Sequence, residues 1–263
     1  MIQMRRRLFV RMPNHYGKKM QKKILFLVAV LLTVSACDKH DPILPGVRSS
    51  IFATDSVNML NTPVPNAPEN IVAVENDDCP YVQRSDNTIW DGERKIFSGF
   101  ATNNYVSGTR TPVCKNGFVY AGLSTGELVK VNPRNRQIAW MADVYKPSNM
   151  TGGASVLDII APPQIYKNYV YVGGLGGAFC KISDSTGNSA WCADISTDHP
   201  FIITGDTIYL VDTDKRLTAL RMRDGAVYWR RSVKKSYAPQ YQDKTVIVGS
   251  ERFDAETGSL IGK

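Results

Sequence analysis

Histidine is scarce in this chain, which leaves little material for a metal site or a catalytic centre. Three histidines occur among 263 residues, at positions 15, 40 and 199. Neither His40 nor His199 has a partner at a spacing typical of metal ligands. No two cysteines are adjacent, and no nucleophile is grouped with a candidate general base. We therefore expect no metal, no cofactor and no enzymatic activity.

A sustained helical period is also missing after residue 37, and the apolar run near the start is short. Residues 24–34 are apolar, fewer than the ~20 residues that a membrane-spanning helix needs. The run follows Lys22 and Lys23, a pattern typical of a secretory signal. The sequence thus predicts an exported protein without a spanning helix.

The residues after this run match a lipoprotein signal, Val34-Ser35-Ala36-Cys37. Such a signal needs a branched apolar residue, two small residues and a cysteine whose thiol is acylated. We predict a leader and signal peptide over residues 1–36, with Met20 as the true start, and a lipid on Cys37. The alternative is an ordinary secretory signal with a chance cysteine. Acyl chains would hold the mature protein at a membrane.

Excess charge of either sign is absent from the predicted mature chain. Of the 32 Lys and Arg residues, eight lie in residues 1–36, which contain no Asp or Glu. The 24 basic residues that remain match the 24 acidic ones. The formal charge of +8 therefore belongs to the leader, and nucleic acid is not an expected partner.

Residues 37–66 are polar, contain four prolines and lack a sustained period. They are predicted to form a tether between the lipid and a folded region, residues 67–263.

That region contains a repeat. In each of three copies a Tyr in a β-rich segment is followed 20 residues later by a Trp, and the copies are 38 to 51 residues apart. The pairs are Tyr120 and Trp140, Tyr171 and Trp191, and Tyr209 and Trp229. A fourth, clipped copy has Gly262 in place of Trp, and a degenerate first copy is assigned to residues 71–74 and Trp90.

The repeat predicts an all-β fold, a β-propeller of four-stranded blades. The spacing allows four or five blades, in a reduced ring, an open arc or a fragment. One blade cannot bury both of its faces, so the blades must stack. The recurrent Trp is expected to fill the space between neighbouring blades.

Four cysteines follow Cys37, an even number that suggests two disulfides in an exported protein. Cys180 and Cys192 lie symmetrically about Thr186 in a predicted hairpin, which favours their pairing and leaves Cys79 with Cys114. Three pairings are formally possible, and four buried free thiols are the alternative.

The segment Thr186-Gly187-Asn188-Ser189-Ala190-Trp191 resembles the repeat of quinoprotein-type propellers. Residues 201–212, running on to Trp229, resemble a late blade of the BamB family, propeller lipoproteins of the outer-membrane β-barrel assembly machinery. The resemblance covers most of residues 40–263 and is sharpest in 112–140 and 163–229. It implies a non-enzymatic scaffold. Quinoprotein dehydrogenases share the repeat, but no adjacent cysteine pair of their kind is present.

The resemblance also implies a partner, the barrel-inserting protein of the machinery, bound through loops on one face of the ring. By repeat register the family's contact loops fall on Tyr105, Val106 and nearby Arg110, and on Asp158. Packing within a blade is the alternative for Tyr105 and Val106, and a solvated loop carboxylate for Asp158. The second functional hypothesis is a propeller lipoprotein with another envelope partner or a small ligand.

The resemblance places the protein at the periplasmic face of the outer membrane. Residue 38 is Asp, which in some bacteria retains a lipoprotein at the inner membrane, so that location is the alternative.

Overall fold

The computed structural model describes residues 57–69, 74–102, 106, 110–144 and 156–262. Within these ranges the regular structure is entirely β, and no helix capable of crossing a membrane is found. Cys37 and Tyr105 lie outside them, as do the predicted signal peptide and residues 71–73 of the degenerate first copy.

The described strands form five antiparallel sheets, here called the first to fifth blades, each with its strands in chain order. The first blade has three strands, β1 (Val82–Gln83), β2 (Thr88–Asp91) and β3 (Arg94–Ser98). The second has β4 (Val113–Lys115), β5 (Phe118–Gly122), β6 (Glu127–Asn132) and β7 (Gln137–Asp143). The third has β8 (Gln164–Tyr166), β9 (Tyr169–Gly173), β10 (Phe179–Ser183) and β11 (Ser189–Ala193). The fourth has β12 (Ile202–Thr204), β13 (Thr207–Val211), β14 (Arg216–Arg221) and β15 (Val227–Ser232). The fifth has β16 (Gln240–Gln242), β17 (Thr245–Val248), β18 (Glu251–Asp254) and β19 (Leu260–Gly262).

This order gives every four-stranded blade two different ends. One end carries the turns that join the first strand to the second and the third to the fourth, and we call it the turn face. The other end carries the turn between the second and third strands and the connection to the next blade, and we call it the loop face. The hairpin at Asn116-Gly117 on the turn face has positive φ at both residues, as its two-residue connection requires.

Period-2 alternation in the strands explains why the blades stack. In β5, Val119 and Ala121 pack against the first blade, whereas Tyr120 between them packs against the third. Four buried apolar clusters of this kind lie at the four junctions between consecutive blades. Among the described residues no such cluster joins the fifth blade to the first. The predicted propeller of four-stranded blades is thus confirmed for the second to fifth blades.

The recurrent Trp packs on a glycine of the next blade. A Cβ on Gly187 would lie 2.8 Å from Trp140, and one on Gly225 or Gly258 would lie 2.6 Å from Trp191 or Trp229. Each indole N–H also donates to a backbone carbonyl of that next blade, over 2.8 to 3.3 Å. The predicted role of Trp between blades is therefore confirmed.

The strand register corrects the assignment of Trp90. In β6 and β7 the residue paired just before the bulge is Trp140, and the same position in β2 and β3 is held by Phe97. Trp90 lies on β2, where its indole N–H donates to Thr88 Oγ1 over 2.7 Å. The first copy therefore has Phe in place of Trp. In the fifth blade Gly262 holds this position, as the sequence indicated.

Residues 57–69, which we call the strap, lie against the blades, although 57–66 were assigned to the tether. Backbone N–H groups of Leu60 and Thr62 donate to β15, and that of Val64 donates to Glu256 O over 2.7 Å. Val64 and Ala67 are buried in the cluster between the fourth and fifth blades. Burial of these apolar side chains explains why a segment of polar and proline-rich composition is docked on the blades.

The part of the chain that the structure describes contains two disulfides. Cys180 and Cys192 are directly opposite in the β10–β11 pair, and their sulfurs are 2.09 Å apart. Cys79, ahead of the first blade, is bonded to Cys114 on β4, with sulfurs 2.13 Å apart. These pairs are the ones that the hairpin symmetry favoured.

Candidate partner-binding loops

The predicted partner-binding residues lie in two connections on the loop face. Residues 99–112 join the first blade to the second, and residues 144–163 join the second to the third. Val106 and Arg110 belong to the first connection and Asp158 to the second. The structure brings these three residues together across 48 to 52 positions of sequence.

A buried ion pair links the two connections. The Arg110 guanidinium donates to both oxygens of the Asp158 carboxylate, Nη2 to Oδ2 over 2.5 Å and Nε to Oδ1 over 3.2 Å. The same carboxylate accepts the Val106 backbone N–H over 2.8 Å, and Arg110 donates to the Val106 carbonyl over 3.3 Å. A bidentate arginine–carboxylate pair is a geometrically specific contact, so it fixes the Val106 backbone relative to Asp158.

The burial of this pair corrects the role predicted for its two charged residues. Arg110 is 5% exposed and Asp158 is fully buried. Neither side chain presents a surface to a partner in this structure. Both position the Val106 backbone instead, and each satisfies the other's hydrogen bonds inside the protein. Val106 is half-buried and lies at the edge of the network.

Backbone hydrogen bonds continue from this ion pair into the blades. Asp158 forms an isolated antiparallel bridge with Leu175, in the turn between β9 and β10. Ile159 N–H donates to the Leu123 carbonyl, in the turn between β5 and β6, over 3.2 Å. A Cβ on Gly122 would lie 2.1 Å from Ile159, so this close approach requires glycine. Asp158 and Ile159 are therefore fixed to the third and second blades, respectively.

Asn87 anchors the start of the first connection. Its buried side chain donates to the Phe100 carbonyl over 2.8 Å and accepts from the Ser124 backbone N–H over 2.9 Å. The Phe100 side chain is 83% exposed. This large aromatic side chain is therefore held at its backbone and available for contact with a partner, and aromatic side chains dominate the energetics of protein interfaces.

The prediction missed Phe100. Its signal in the sequence is modest, an aromatic residue directly after Gly99 at the end of a β-rich segment. Val156, in the second connection, is a further apolar residue of the loop face, 39% exposed. Within the ranges that the structure describes, no three His, Cys, Asp or Glu side chains stand close enough together to hold a metal ion.

Comparison with known families gives a match over most of the chain. The family model described as outer membrane protein assembly factor BamB matches residues 56–231, which include the first three blades and all but the last residue of the fourth.

Individual relatives are distant. The outer membrane protein assembly factor BamB of Kangiella koreensis is 25% identical over 169 residues, which cover 61% of this chain and 44% of that protein. The protein of the same name from Shewanella oneidensis is also 25% identical over 169 residues, covering 61% and 43%. The chain thus spans less than half the length of these relatives.

A solved structure supports the fold. The crystal structure of BamB from Moraxella catarrhalis superposes with a TM-score of 0.58 and 18% identity, over 69% of this chain and 59% of that one. At this identity the likeness shows the propeller architecture alone.

Proposed function

Since the chain belongs to the family of the outer membrane protein assembly factor BamB, we propose that it is a non-enzymatic scaffold in outer-membrane protein assembly. Its relatives carry the name of an assembly factor. The action would be binding: rigid blades hold loops in a fixed arrangement, and the loops bind a barrel-inserting protein. Its benefit would be to orient that partner and raise its local concentration at the membrane.

The observation that carries the proposal is the exposed aromatic side chain of Phe100, whose backbone carbonyl is held in place. Phe100 adds apolar area at the loop face, and its backbone is held by Asn87. Val106 lies in the same connection and is positioned by Arg110 and Asp158. A protein partner is favoured over a small ligand here, because an exposed aromatic anchor suits a protein surface.

The anchor and the location are part of the proposal. A lipid on Cys37 would attach the chain to the membrane, and the strap would begin 20 residues later. Membership of the family favours the periplasmic face of the outer membrane, and Asp38 keeps the inner membrane as the alternative. Incorporation of radiolabelled palmitate, compared between the parent protein and Cys37→Ser, would test the lipid anchor. Membrane fractionation of the labelled protein would distinguish the outer membrane from the inner membrane.

The test is affinity purification of the tagged, detergent-extracted protein, with mass spectrometry of the proteins that accompany it. We expect the barrel-inserting protein to co-purify, and Phe100→Glu to reduce its yield at least about tenfold, as loss of a central aromatic contact would. Ile138→Glu is the matched control, because Ile138 is 50% exposed at the start of β7, near the turn face.

Unchanged co-purification with Phe100→Glu would remove the loop face from the proposal. If the barrel-inserting protein is absent while another envelope protein is captured, the scaffold has a different partner. Circular dichroism of both variants provides the check on folding.

A further inference from the structure

The junctions between blades repeat, and one of them contains a carboxylate that the next one lacks. Between the second and third blades, Lys130 Nζ and Tyr120 Oη both donate to Asp184 Oδ1, over 2.7 and 2.6 Å. The Asp184 backbone carbonyl accepts from Lys130 and from the Trp140 indole, over 3.0 and 2.8 Å. This carboxylate therefore satisfies a lysine and a tyrosine that project from the preceding blade.

The register identifies the same positions one blade later. Tyr171 pairs with Lys181 as Tyr120 pairs with Lys130. Met222 occupies the position of Asp184. The Asp184 backbone N–H donates to the Asn168 carbonyl in the third blade, and the Met222 backbone N–H donates to the Asp206 carbonyl at the equivalent turn of the fourth blade. The Met222 carbonyl accepts from the Trp191 indole over 3.1 Å and from Lys181 Nζ over 3.4 Å. Only the carboxylate is missing.

An open cleft lies where that carboxylate would be. It has a volume of about 750 Å³ and is located on the turn face, between the third and fourth blades and the strap. Lys181, Tyr171 and Met222 line it, together with Tyr169 and Tyr228. Lys181 Nζ lies 4.1 Å from the centre of the Tyr169 ring. Apolar and aromatic walls with a few charged groups are typical of a small-molecule site.

Charge in the cleft favours an anion. Lys167, Lys181, Arg221 and Arg223 line it, against one carboxylate, Asp206. Arg221 is paired with Asp224, outside the lining, over 2.6 Å, and Arg223 lies 3.6 Å from the same carboxylate. The two lysines retain an excess of positive charge. Burial, and then the neighbouring Lys167, lower the pKa of Lys181, which is the direction expected for a cation short of a counter-charge.

We propose that this cleft binds an organic carboxylate, whose charged group takes the place next to Lys181 and Tyr171 that Asp184 takes next to Lys130 and Tyr120. The attached apolar or aromatic body of the ligand packs between Tyr169 and Tyr228. The site is on the opposite end of the blades from the loop face. It is therefore independent of the protein partner.

The experiment is calorimetric titration of the full chain in mild detergent with benzoate, its neutral analogue benzamide and inorganic phosphate. Benzoate is expected to bind at least about tenfold more tightly than benzamide, since a charge-assisted hydrogen bond to Lys181 is lost with the neutral group. Phosphate tests for general anion binding, because it carries charge without the flat apolar body.

Two variants locate the site. Lys181→Gln should weaken benzoate binding about tenfold, whereas Lys95→Gln should leave it unchanged, because Lys95 is an exposed lysine near Trp90, outside the cleft. Met222→Asp should abolish binding, because its carboxylate would recreate the arrangement of the preceding junction, and should raise the melting temperature.

Benzoate affinity that is equal to that of benzamide or phosphate would overturn the proposal. So would affinity that Lys181→Gln leaves unchanged. If Met222→Asp does not fold, the Lys181 and Lys95 variants still decide the question.

Discussion

The first junction between blades differs in construction from the three that follow. In the later three, Trp140, Trp191 and Trp229 pack on glycines of the next blade and donate to its carbonyls. At the first junction Phe97 holds the Trp position. There a disulfide joins Cys79, just ahead of the first blade, to Cys114 on β4, and Gln83 on β1 donates to the Gly122 carbonyl.

The turn that would receive an aromatic side chain differs accordingly. Gly187, Gly225 and Gly258 have positive φ, and each donates the main-chain hydrogen bond that closes its turn. Arg136 has the same hydrogen bond and a φ of 60°, yet carries a Cβ. Glycine is therefore required where a Trp packs on the turn, not by the turn conformation alone. The Trp–Gly contact is thus a property of the three later junctions, whereas the first junction has Phe97 in the Trp position.

Removal of a repeat Trp should have the largest effect. Trp229→Ala is expected to lower the free energy of unfolding by about 3–5 kcal/mol, because the side chain is almost fully buried and a cavity remains. Trp90→Ala is the control and should cost roughly 1 kcal/mol, since Trp90 is only partly buried and contacts Arg84 and Thr88. Urea denaturation of both variants measures this, and equal losses would contradict the corrected register.

Loss of the covalent link should affect the first junction selectively. The Cys79→Ser/Cys114→Ser variant opens a loop of 35 residues. The greater entropy of the unfolded chain should lower the free energy of unfolding by about 4 kcal/mol. Amide hydrogen exchange should accelerate in β2 and β3 above all. The control, Cys180→Ser/Cys192→Ser, opens a loop of 12 residues within one hairpin, worth about 3 kcal/mol. Unchanged protection of β2 and β3 would show that the disulfide does not hold the first blade.

The glycine under a Trp should be sensitive to a single methyl group. Gly225→Ala is expected to cost about 2–4 kcal/mol, because a Cβ there lies 2.6 Å from Trp191 and φ is +72°. Gly117→Ala isolates the backbone part, since φ is +76° with nothing near the Cβ, and should cost about 1 kcal/mol. Thermal melting of the two variants measures the difference between their losses of stability. Equal losses would show that Trp191 can move aside.

The smallest effect should be a pH dependence at the second junction. Burial alone raises the pKa of Asp184, but hydrogen bonds from Lys130 and Tyr120 outweigh it, so the pKa lies below its ordinary value of 3.8. A lowered folded-state pKa stabilises the protein above 3.8, and this contribution is lost as pH falls through the folded pKa.

Asp184→Asn should therefore cost about 1–2 kcal/mol at pH 7 and less at pH 3. Urea denaturation at both pH values checks this against the parent protein. A loss in Asp184→Asn that is the same at pH 3 and pH 7 would contradict a role for the charge.

Much of the blade architecture could be predicted because it depends on local spacing. The interval from Tyr to Trp spans the second to fourth strands of a blade, and alternation assigns each side chain to a junction. The same spacing misassigned Trp90, because a Trp residue matched the pattern while the bulge in the β2–β3 pair places Phe97 at the equivalent position. Burial of the strap was also not predicted, because amino-acid composition does not indicate which apolar side chains pack against another part of the protein.

The loops were harder to predict because their roles depend on contacts that are remote in sequence. Arg110 and Asp158 were chosen as surface residues, yet they pair inside the protein across 48 positions. Phe100 was overlooked, although it is the more exposed side chain. Neither result follows from local pattern. Charged side chains are usually exposed and aromatic side chains usually buried, so the ordinary expectation for these residues is the reverse of what the structure shows.

The sequence by itself determined the all-β repeat, the turns between strands and the recurrent Trp between blades, because these follow from short-range periodicity and from residue size. The tertiary structure alone decided which charges are neutralised internally and which are left facing a cleft. Asp184 and Met222 occupy equivalent turn positions, and only stacking of the blades makes one a counter-ion and the other the wall of an open site. Electrostatic partners are set by distance in space, and sequence spacing does not encode that distance between blades.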